Sequence, residues 1–162
     1  MNKLLLSIPI LLASYSVQAG WLTQVEESIF GDNKALMIGE IKDSKSGIIF
    51  LCDKDTLSVS YLELEENSDM NPVPVTFLMK IDSNPIIEFS TTLKKRNSNA
   101  IEARGNDKEK IISLLKQLGS SKQRFLAGIS VDGTDIKYSF SGNVSGSTAA
   151  VTKFTNACNI KL

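Results

Sequence analysis

The stretch GIIFLCDKDTLSVSYLEL, residues 47–64, decides the fold class of this chain. Its first six residues are continuously apolar, which is typical of a β-strand that is buried on both faces. The segment DKD then turns the chain, and in the second half Leu57, Val59 and Tyr61 alternate with serines. Such a period of two residues is typical of a strand that is buried on one face. The stretch therefore predicts two consecutive strands that are joined by a short turn.

Similar strand-like segments lie on both sides of this pair. Polar clusters rich in Gly, Asp, Asn and Pro separate them, and such clusters are typical of turns between strands. The further expected strands are residues 21–30, 35–41, 75–81, 86–93, 100–103, 125–131 and 136–140. Short strands with these connections predict a single antiparallel, β-rich domain, either sandwich-like or built on a curved sheet.

Two short helices are predicted in the C-terminal half. Asn106 and Glu109 have the spacing of a capping box, in which each side chain bonds to a backbone amide near the other. The apolar residues after them fall on one helical stripe, and Gly119 is expected to end the helix. A second helix is expected between Gly146 and Cys158. The predicted fold class is therefore α+β.

The first nineteen residues have the features of a cleavable signal peptide. Lys3 gives a positive start, residues 4–12 are almost entirely apolar, and the segment ends in a small residue, Ala19. The apolar run is shorter than the roughly 20 residues that a transmembrane helix needs. No Cys follows Ala19 as a site for lipidation. We therefore expect export to the periplasm, cleavage near Ala19 and a mature domain of residues 20–162.

The charge balance of the mature chain argues against two classes of partner. Without Lys3, the 18 basic residues become 17, against 18 acidic residues. A nearly neutral chain has no general attraction to nucleic acid or to anionic lipid. No segment after residue 19 is apolar enough to span a membrane. We therefore expect no nucleic-acid partner and no membrane span in the mature chain.

Cys52 and Cys158 are the two cysteines of the chain. In an exported protein an even number of cysteines indicates a disulfide bond. The bridge would span 106 positions, and closing so long a loop stabilises a fold by about 4–5 kcal/mol in the loop-entropy estimate. A metal site is disfavoured because the chain has no His and two thiolates do not complete a zinc shell. A reactive thiol is the remaining alternative.

The residue inventory argues against an enzyme. The absence of His excludes Ser-His-Asp and Cys-His arrangements. Ser113 and Lys116 have the spacing of a catalytic Ser-Lys pair, but they lie inside a predicted helix whose polar face explains both. The acids Glu63, Glu65, Glu66 and Asp69 could in pairs serve glycoside hydrolysis. An acidic run beside Asn and Pro is, however, more typical of a solvated loop. We expect no catalytic residue, no cofactor and no metal.

Two features are candidates for partner binding. Trp21 could anchor a partner, because large aromatic side chains contribute much of the binding energy of interfaces. Its alternative role is to pack in the core of its own domain. An acidic segment could complement a basic enzyme; its candidate residues are Glu63, Glu65, Glu66 and Asp69.

The order of elements resembles a known family of envelope proteins. A signal peptide precedes Trp21, a strand ends in Cys52, an amphipathic helix follows, and a helix of small residues comes just before Cys158. This order is similar to that of the periplasmic VasI-type proteins associated with type VI secretion, and more distantly to the invasion-associated IalB-type envelope proteins. The resemblance implies an accessory or binding role, with Cys52 and Cys158 as a structural pair and no catalytic motif. The acidic segment from Glu63 to Asp69 departs from that pattern.

These observations predict a periplasmic, non-enzymatic, protein-binding accessory factor of the cell envelope, which the resemblance links to a secretion system. The expected partner is an envelope or secretion-system protein. The alternative is an immunity, inhibitor or phage-exclusion protein that neutralises an incoming toxin or lytic enzyme. A carboxylate-based hydrolase is the third hypothesis.

Overall fold

A computed structural model describes residues 20–41, 45–65 and 70–162 of this chain. The predicted signal peptide, residues 1–19, lies outside the described residues, as do Glu66 and Asp69. Within the described ranges the chain forms nine strands and two helices. In chain order they are β1 (Trp21–Glu26), β2 (Lys34–Glu40), β3 (Ser46–Asp53), β4 (Thr56–Leu64), β5 (Val73–Ile81), β6 (Ile87–Asn97), β7 (Ala100–Gly105), α1 (Lys108–Gly119), β8 (Arg124–Val131), β9 (Lys137–Asn143) and α2 (Ser147–Ala157).

All of these strands belong to one antiparallel sheet with the order β1-β2-β3-β4-β7-β6-β5-β8-β9. The first four strands form a meander of hairpins. The β5-β6-β7 unit is inserted in reverse order, so that β7 pairs with β4 and β5 pairs with β8. A single curved sheet with two helices in the C-terminal half confirms the predicted α+β class, and in its curved-sheet form.

The strand predictions differ from the structure mainly at strand ends. β1 ends at Glu26 rather than at residue 30, because residues 27–33 form the turn to β2. β6 continues to Asn97, four residues beyond the predicted strand end at residue 93. Arg96 in this polar extension forms an ion pair with Glu102 of β7 at 3.3 Å, and opposite charges on facing strands are favourable.

The helix predictions are confirmed in position, while the predicted cap is wrong by one residue. The N-cap of α1 is Asp107, whose carboxylate accepts a hydrogen bond from the Lys110 backbone N–H at 3.1 Å. Gly119 is the last residue of the helix, and the C-cap is Ser120. The predicted apolar stripe faces the sheet and is buried, since it consists of Ile111, Leu114, Leu115 and Leu118.

Contacts between distant strands show how strongly the sheet curls. Tyr61 of β4 stacks on Phe140 of β9 with ring centroids 5.0 Å apart, although four strands lie between β4 and β9 in the sheet. The two helices pack on the concave face, which we call the inner face; there Phe50 of β3 contacts Phe154 of α2. The opposite face is called the outer face. The sheet is thus a half-barrel whose core lies between its inner face and the helices.

Trp21 holds the first strand of the sheet against the last two. Its ring packs edge-on against Phe125 of β8 at 5.3 Å, and its indole N–H donates to the carbonyl of Asn143 at 3.1 Å. The Trp21 backbone N–H also donates to the carbonyl of Ser145 at 2.9 Å. A Cβ atom on Gly39 would overlap the indole ring, so this close approach requires glycine.

Cys52 and Cys158 form the predicted disulfide bond. Cys52 lies in β3, and Cys158 is the C-cap of α2. The bridge therefore joins the end of the terminal helix to a central strand of the first meander, 106 positions earlier in the chain.

We expect Trp21→Ala to lower the free energy of unfolding by about 3–5 kcal/mol, because it leaves a cavity and removes the hydrogen bond from the indole N–H to the Asn143 carbonyl. Urea unfolding followed by far-UV circular dichroism measures the change, since this variant lacks the single Trp fluorophore. The control is Leu22→Ala on the same strand, where the side chain is 61% exposed and the expected change is within about 0.5 kcal/mol. Equal losses in both variants would contradict the role of Trp21.

We expect the double variant Cys52→Ala/Cys158→Ala to lose about 2–5 kcal/mol of unfolding free energy, because the unfolded chain regains the freedom of a long loop. Urea unfolding of the variant and of the reduced wild-type protein measures this loss. The two losses should agree, since each experiment removes the same bond. An unchanged midpoint in both would show that the bridge does not stabilise the domain.

Candidate binding surface

The most exposed large apolar side chains of the described residues lie in the turn between β1 and β2. We call this turn, together with the last residue of β1, the hairpin tip (residues 26–33). Ile29 is 95% exposed and Phe30 is 83% exposed. Single exposed apolar residues are common on protein surfaces, but neighbouring large ones mark interaction sites more often. The hairpin tip is therefore a candidate binding surface.

Hydrogen bonds hold the hairpin tip in a defined conformation. The Ser28 backbone N–H donates to Oδ1 of Asn33 at 2.9 Å, and the Phe30 N–H donates to Oγ of Ser28 at 3.2 Å. Gly31 closes the turn with a bond from its N–H to the Ser28 carbonyl at 3.0 Å and a φ of 83°, which glycine adopts without strain. An ordered loop loses less conformational entropy on binding than a flexible one.

The charged groups of the hairpin tip are acidic. Glu26, Glu27 and Asp32 are exposed, and none of them forms an ion pair with another described residue. The nearest cation in sequence, Lys34, is 3.3 Å from the carboxylate of Asp53 and is thereby partly neutralised. Ile29 and Phe30 are thus surrounded by negatively charged side chains. This arrangement favours a positively charged partner surface.

A second candidate surface is a groove on the outer face of β5, β8 and β9, which we call the outer groove. Its volume is about 480 Å³. It lies over Gly128, whose missing side chain leaves a depression, and the outer-face residues Leu78, Ile86 and Leu126 line it. Both charged residues among the described residues that line it, Lys80 and Lys137, are cations. The groove is therefore apolar with a positive rim.

The structure places Trp21 in the core of its own domain, with 6% of its side chain exposed. Its ring contacts Phe50 and Phe125, and its N–H is already bonded to Asn143. Trp21 therefore has almost no surface to offer to a partner, and its contacts are those of the alternative core role.

The acidic residues predicted to bind a partner are only partly described. Glu63 is half-buried on the inner face and accepts a hydrogen bond from the Tyr61 hydroxyl at 2.8 Å. Glu65 is exposed, and its backbone N–H donates to the Asn99 carbonyl at 3.0 Å. Glu66 and Asp69 lie outside the described residues. Among the described residues, the partner that the structure gives Glu63 is therefore a phenol hydroxyl.

The hairpin tip was not found by the sequence analysis, because Ile29 and Phe30 were assigned to the first strand. The signal that could have identified it is the polar flank Glu26-Glu27-Ser28, which ends the strand pattern before two apolar residues and a glycine. Residues of this kind between turn signals belong to the turn itself.

Glu102 is the most deeply buried carboxylate of the described residues, and it has a structural explanation. It lies on the outer face of β7 with 5% exposure, and its Oε2 is 3.3 Å from Arg96 and 3.0 Å from Arg104. Two guanidinium groups compensate the buried charge, as buried carboxylates require. The sequence analysis did not identify this cluster.

Three further findings concern the predictions about a metal site, a Ser-Lys pair and a membrane span. No group of three or more His, Cys, Asp or Glu side chains within residues 20–41, 45–65 and 70–162 is placed to hold a metal ion. Ser113 and Lys116 both lie on α1, and Lys116 is exposed.

Within residues 20–41, 45–65 and 70–162, no helix combines the length and apolar character needed to cross a bilayer.

Asp82 has a lowered carboxyl pKa because of its backbone partners. It lies in the turn between β5 and β6, and its carboxylate accepts the N–H groups of Lys122 at 2.8 Å, Arg124 at 3.0 Å and Gln123 at 3.1 Å. The Lys122 and Arg124 bonds lower the pKa most, partial desolvation opposes them, and the Gln123 bond adds to the decrease. These bonds fasten the segment between α1 and β8 to the β5–β6 turn.

Comparisons of this chain with protein-family models, with curated proteins and with solved structures find no match. The resemblance to VasI-type and IalB-type proteins therefore stays a prediction. The candidate surfaces rest on the geometry of the chain itself.

We expect Asp82→Asn to destabilise the protein at pH 7 by about 1 kcal/mol, because the charged acceptor is lost at a solvated site. Asn tolerates the left-handed backbone of this position, where φ is 49°. Since folding lowers the pKa below its ordinary value of 3.8, the carboxylate stabilises the fold fully above that value. This stabilisation is lost as the pH falls through the folded-state pKa.

The difference between wild type and Asp82→Asn should therefore shrink on acidification below the ordinary pKa. Urea unfolding at a series of pH values measures it. Asp135→Asn is the control, because Asp135 is an exposed turn residue. A difference that does not change with pH would contradict the assignment.

Proposed function

We propose that this chain is an exported, non-enzymatic, protein-binding factor of the bacterial cell envelope, and that the hairpin tip anchors its partner. The observation that carries this proposal is the near-complete exposure of Ile29 and Phe30 on an ordered turn. Fully burying an apolar side chain of this size contributes about 1.5–3 kcal/mol. Exposed and held in place, these two side chains are suited to fill a pocket in another protein.

The disulfide bond and the N-terminal sequence support export. Structural disulfides persist in oxidising compartments such as the bacterial periplasm, and Cys52 and Cys158 are joined. The positive, apolar and small-residue order of residues 1–19 is that of a secretory signal. We therefore place the function in the periplasm.

The charges of the hairpin tip suggest the chemistry of the partner. Three exposed carboxylates around the apolar pair favour a pocket with an apolar floor and a cationic rim. They disfavour the anionic surface of a membrane, which attracts basic rather than acidic segments. We therefore propose a protein partner and not a lipid surface.

The same charges favour a second candidate function, an inhibitor or immunity protein. A toxin or cell-wall-degrading enzyme with a cationic cleft would accept an acidic hairpin that carries Ile29 and Phe30. The accessory role, with its link to a secretion system, draws instead on the resemblance to VasI-type proteins. Both functions use the hairpin tip, and the identity of the partner distinguishes them.

We expect a photo-crosslinking amino acid in place of Phe30 to capture the partner in living cells that express the full sequence. The same amino acid at Leu162, which is 49% exposed, serves as the control and should not capture it. A captured envelope or secretion-system component supports the accessory function. A captured toxin or lytic enzyme, supplied to the cells as bait, supports the inhibitor function.

The captured partner then allows a quantitative test. Because Phe30 would be buried in the complex, Phe30→Ser should raise the dissociation constant by roughly 10- to 100-fold. Glu26→Lys/Glu27→Lys should weaken binding further at low ionic strength, while Leu22→Ser should leave it unchanged. Wild-type affinity in both tip variants would refute the hairpin tip as the anchor.

A further inference from the structure

The hairpin tip and the outer groove are complementary surfaces of the same chain. We propose that the tip of one copy docks into the outer groove of a second copy. This inference rests on the proposed function in one respect, namely that the tip is an anchor. It adds that the outer groove is a binding site for the tip. The molecule whose tip binds there is a second copy of this chain.

The apolar parts of the two surfaces match in size and character. The groove volume of about 480 Å³ lies within the range of about 300–1,000 Å³ that is usual for binding pockets. Its walls are largely aliphatic, and one of its side chains, Ile86, is 53% exposed. Docking Ile29 and Phe30 there would remove the exposed apolar surface of both partners from water together.

The charges of the two surfaces are opposite. The groove carries Lys80 and Lys137, with no carboxylate among the described residues that line it. The tip carries Glu26, Glu27 and Asp32, while its neighbouring cation, Lys34, is engaged with Asp53. Opposite fields of this kind orient two molecules before contact, and salt weakens the attraction.

The contact must form between copies rather than within one. In a single molecule Ile29 and Phe30 remain almost fully exposed while the groove stands open. A tip in a groove is a contact between two different surfaces, so copies either pair reciprocally or add one after another.

Self-docking would shield the exposed side chains of Ile29 and Phe30 from water. A contact confined to one turn and one groove is smaller than the interfaces of stable dimers and belongs to the transient class. A partner that binds the tip more tightly would therefore displace the second copy. The groove thus protects the anchor from unspecific association until its partner is present.

Sedimentation equilibrium of the oxidised protein, expressed from its full sequence, tests this proposal at several protein concentrations. The tip variant is Ile29→Ser/Phe30→Ser, and the groove variant is Lys80→Glu/Lys137→Glu. We expect the wild type to associate more at higher concentration and less at higher salt. Each variant should lower the association constant by at least about tenfold, whereas the control Lys153→Glu/Lys161→Glu should leave it unchanged.

Two mixtures make the test specific for this contact. The tip variant keeps an intact groove and the groove variant keeps an intact tip, so an equimolar mixture should form dimers and no larger species. Adding Glu26→Lys/Glu27→Lys to the groove variant should restore association, because both sets of charges are then reversed. Ser139→Trp, which fills the groove without changing its charge, should abolish association on its own.

A wild type that stays monomeric at all concentrations would overturn the proposal, as would association that neither variant weakens or a mixture that does not associate. Crosslinking at Phe30 keeps this result separate from the proposed function. Capture of an envelope partner by a monomeric wild type would remove only the self-docking. Self-association without any captured partner would instead remove the proposed function.

Discussion

The contact on which the rest of this structure depends is the burial of Trp21 between the two ends of the curled sheet. A sheet of nine strands has two exposed edges unless it closes on itself, and open edges tend to associate. Here the indole ring packs on Phe50 and Phe125, and its N–H bonds to Asn143. The first strand thereby stays against the last two, and the sheet encloses a space that α1 and α2 fill. The disulfide fastens the end of α2 within the same closure.

This closure leaves the inner face with little capacity for binding. The large inward side chains of the sheet, such as Phe50 and Phe77, are fully buried in the core, where Phe50 contacts Phe154 of α2. Thr23, a buried polar residue of β1, is bonded within the protein, since its hydroxyl donates to the carbonyl of Ala150 at 2.8 Å. Recognition is therefore left to turns and to the outer face, where the hairpin tip and the outer groove lie. The half-barrel supports both surfaces, because the hairpin tip and the outer groove are built on strands of the same sheet.

The sequence predicted the elements better than it predicted the candidate site. The alternation of Leu57, Val59 and Tyr61 with serines identified β4, and the apolar run before Cys52 identified β3, because these patterns depend only on local geometry. The assignment of Ile29 and Phe30 to a strand was wrong because the position of a strand end does not depend on local geometry alone. Apolar residues at a strand end are compatible with either strand or turn, and only the pairing of Glu26 with Lys34 decides where the strand stops.

The sequence by itself thus determined an α+β domain with a disulfide between Cys52 and Cys158, since residue periods, turn residues and cysteine number are local or countable properties. Only the tertiary structure decided that β7 pairs with β4 and that Trp21 is buried between the two ends of the sheet. It also decided that the missing side chain of Gly128 leaves a groove between Lys80 and Lys137. The physical reason is that these features depend on which distant strands become neighbours. That choice is made by the packing of the whole core around the helices, and no single segment of the chain contains it.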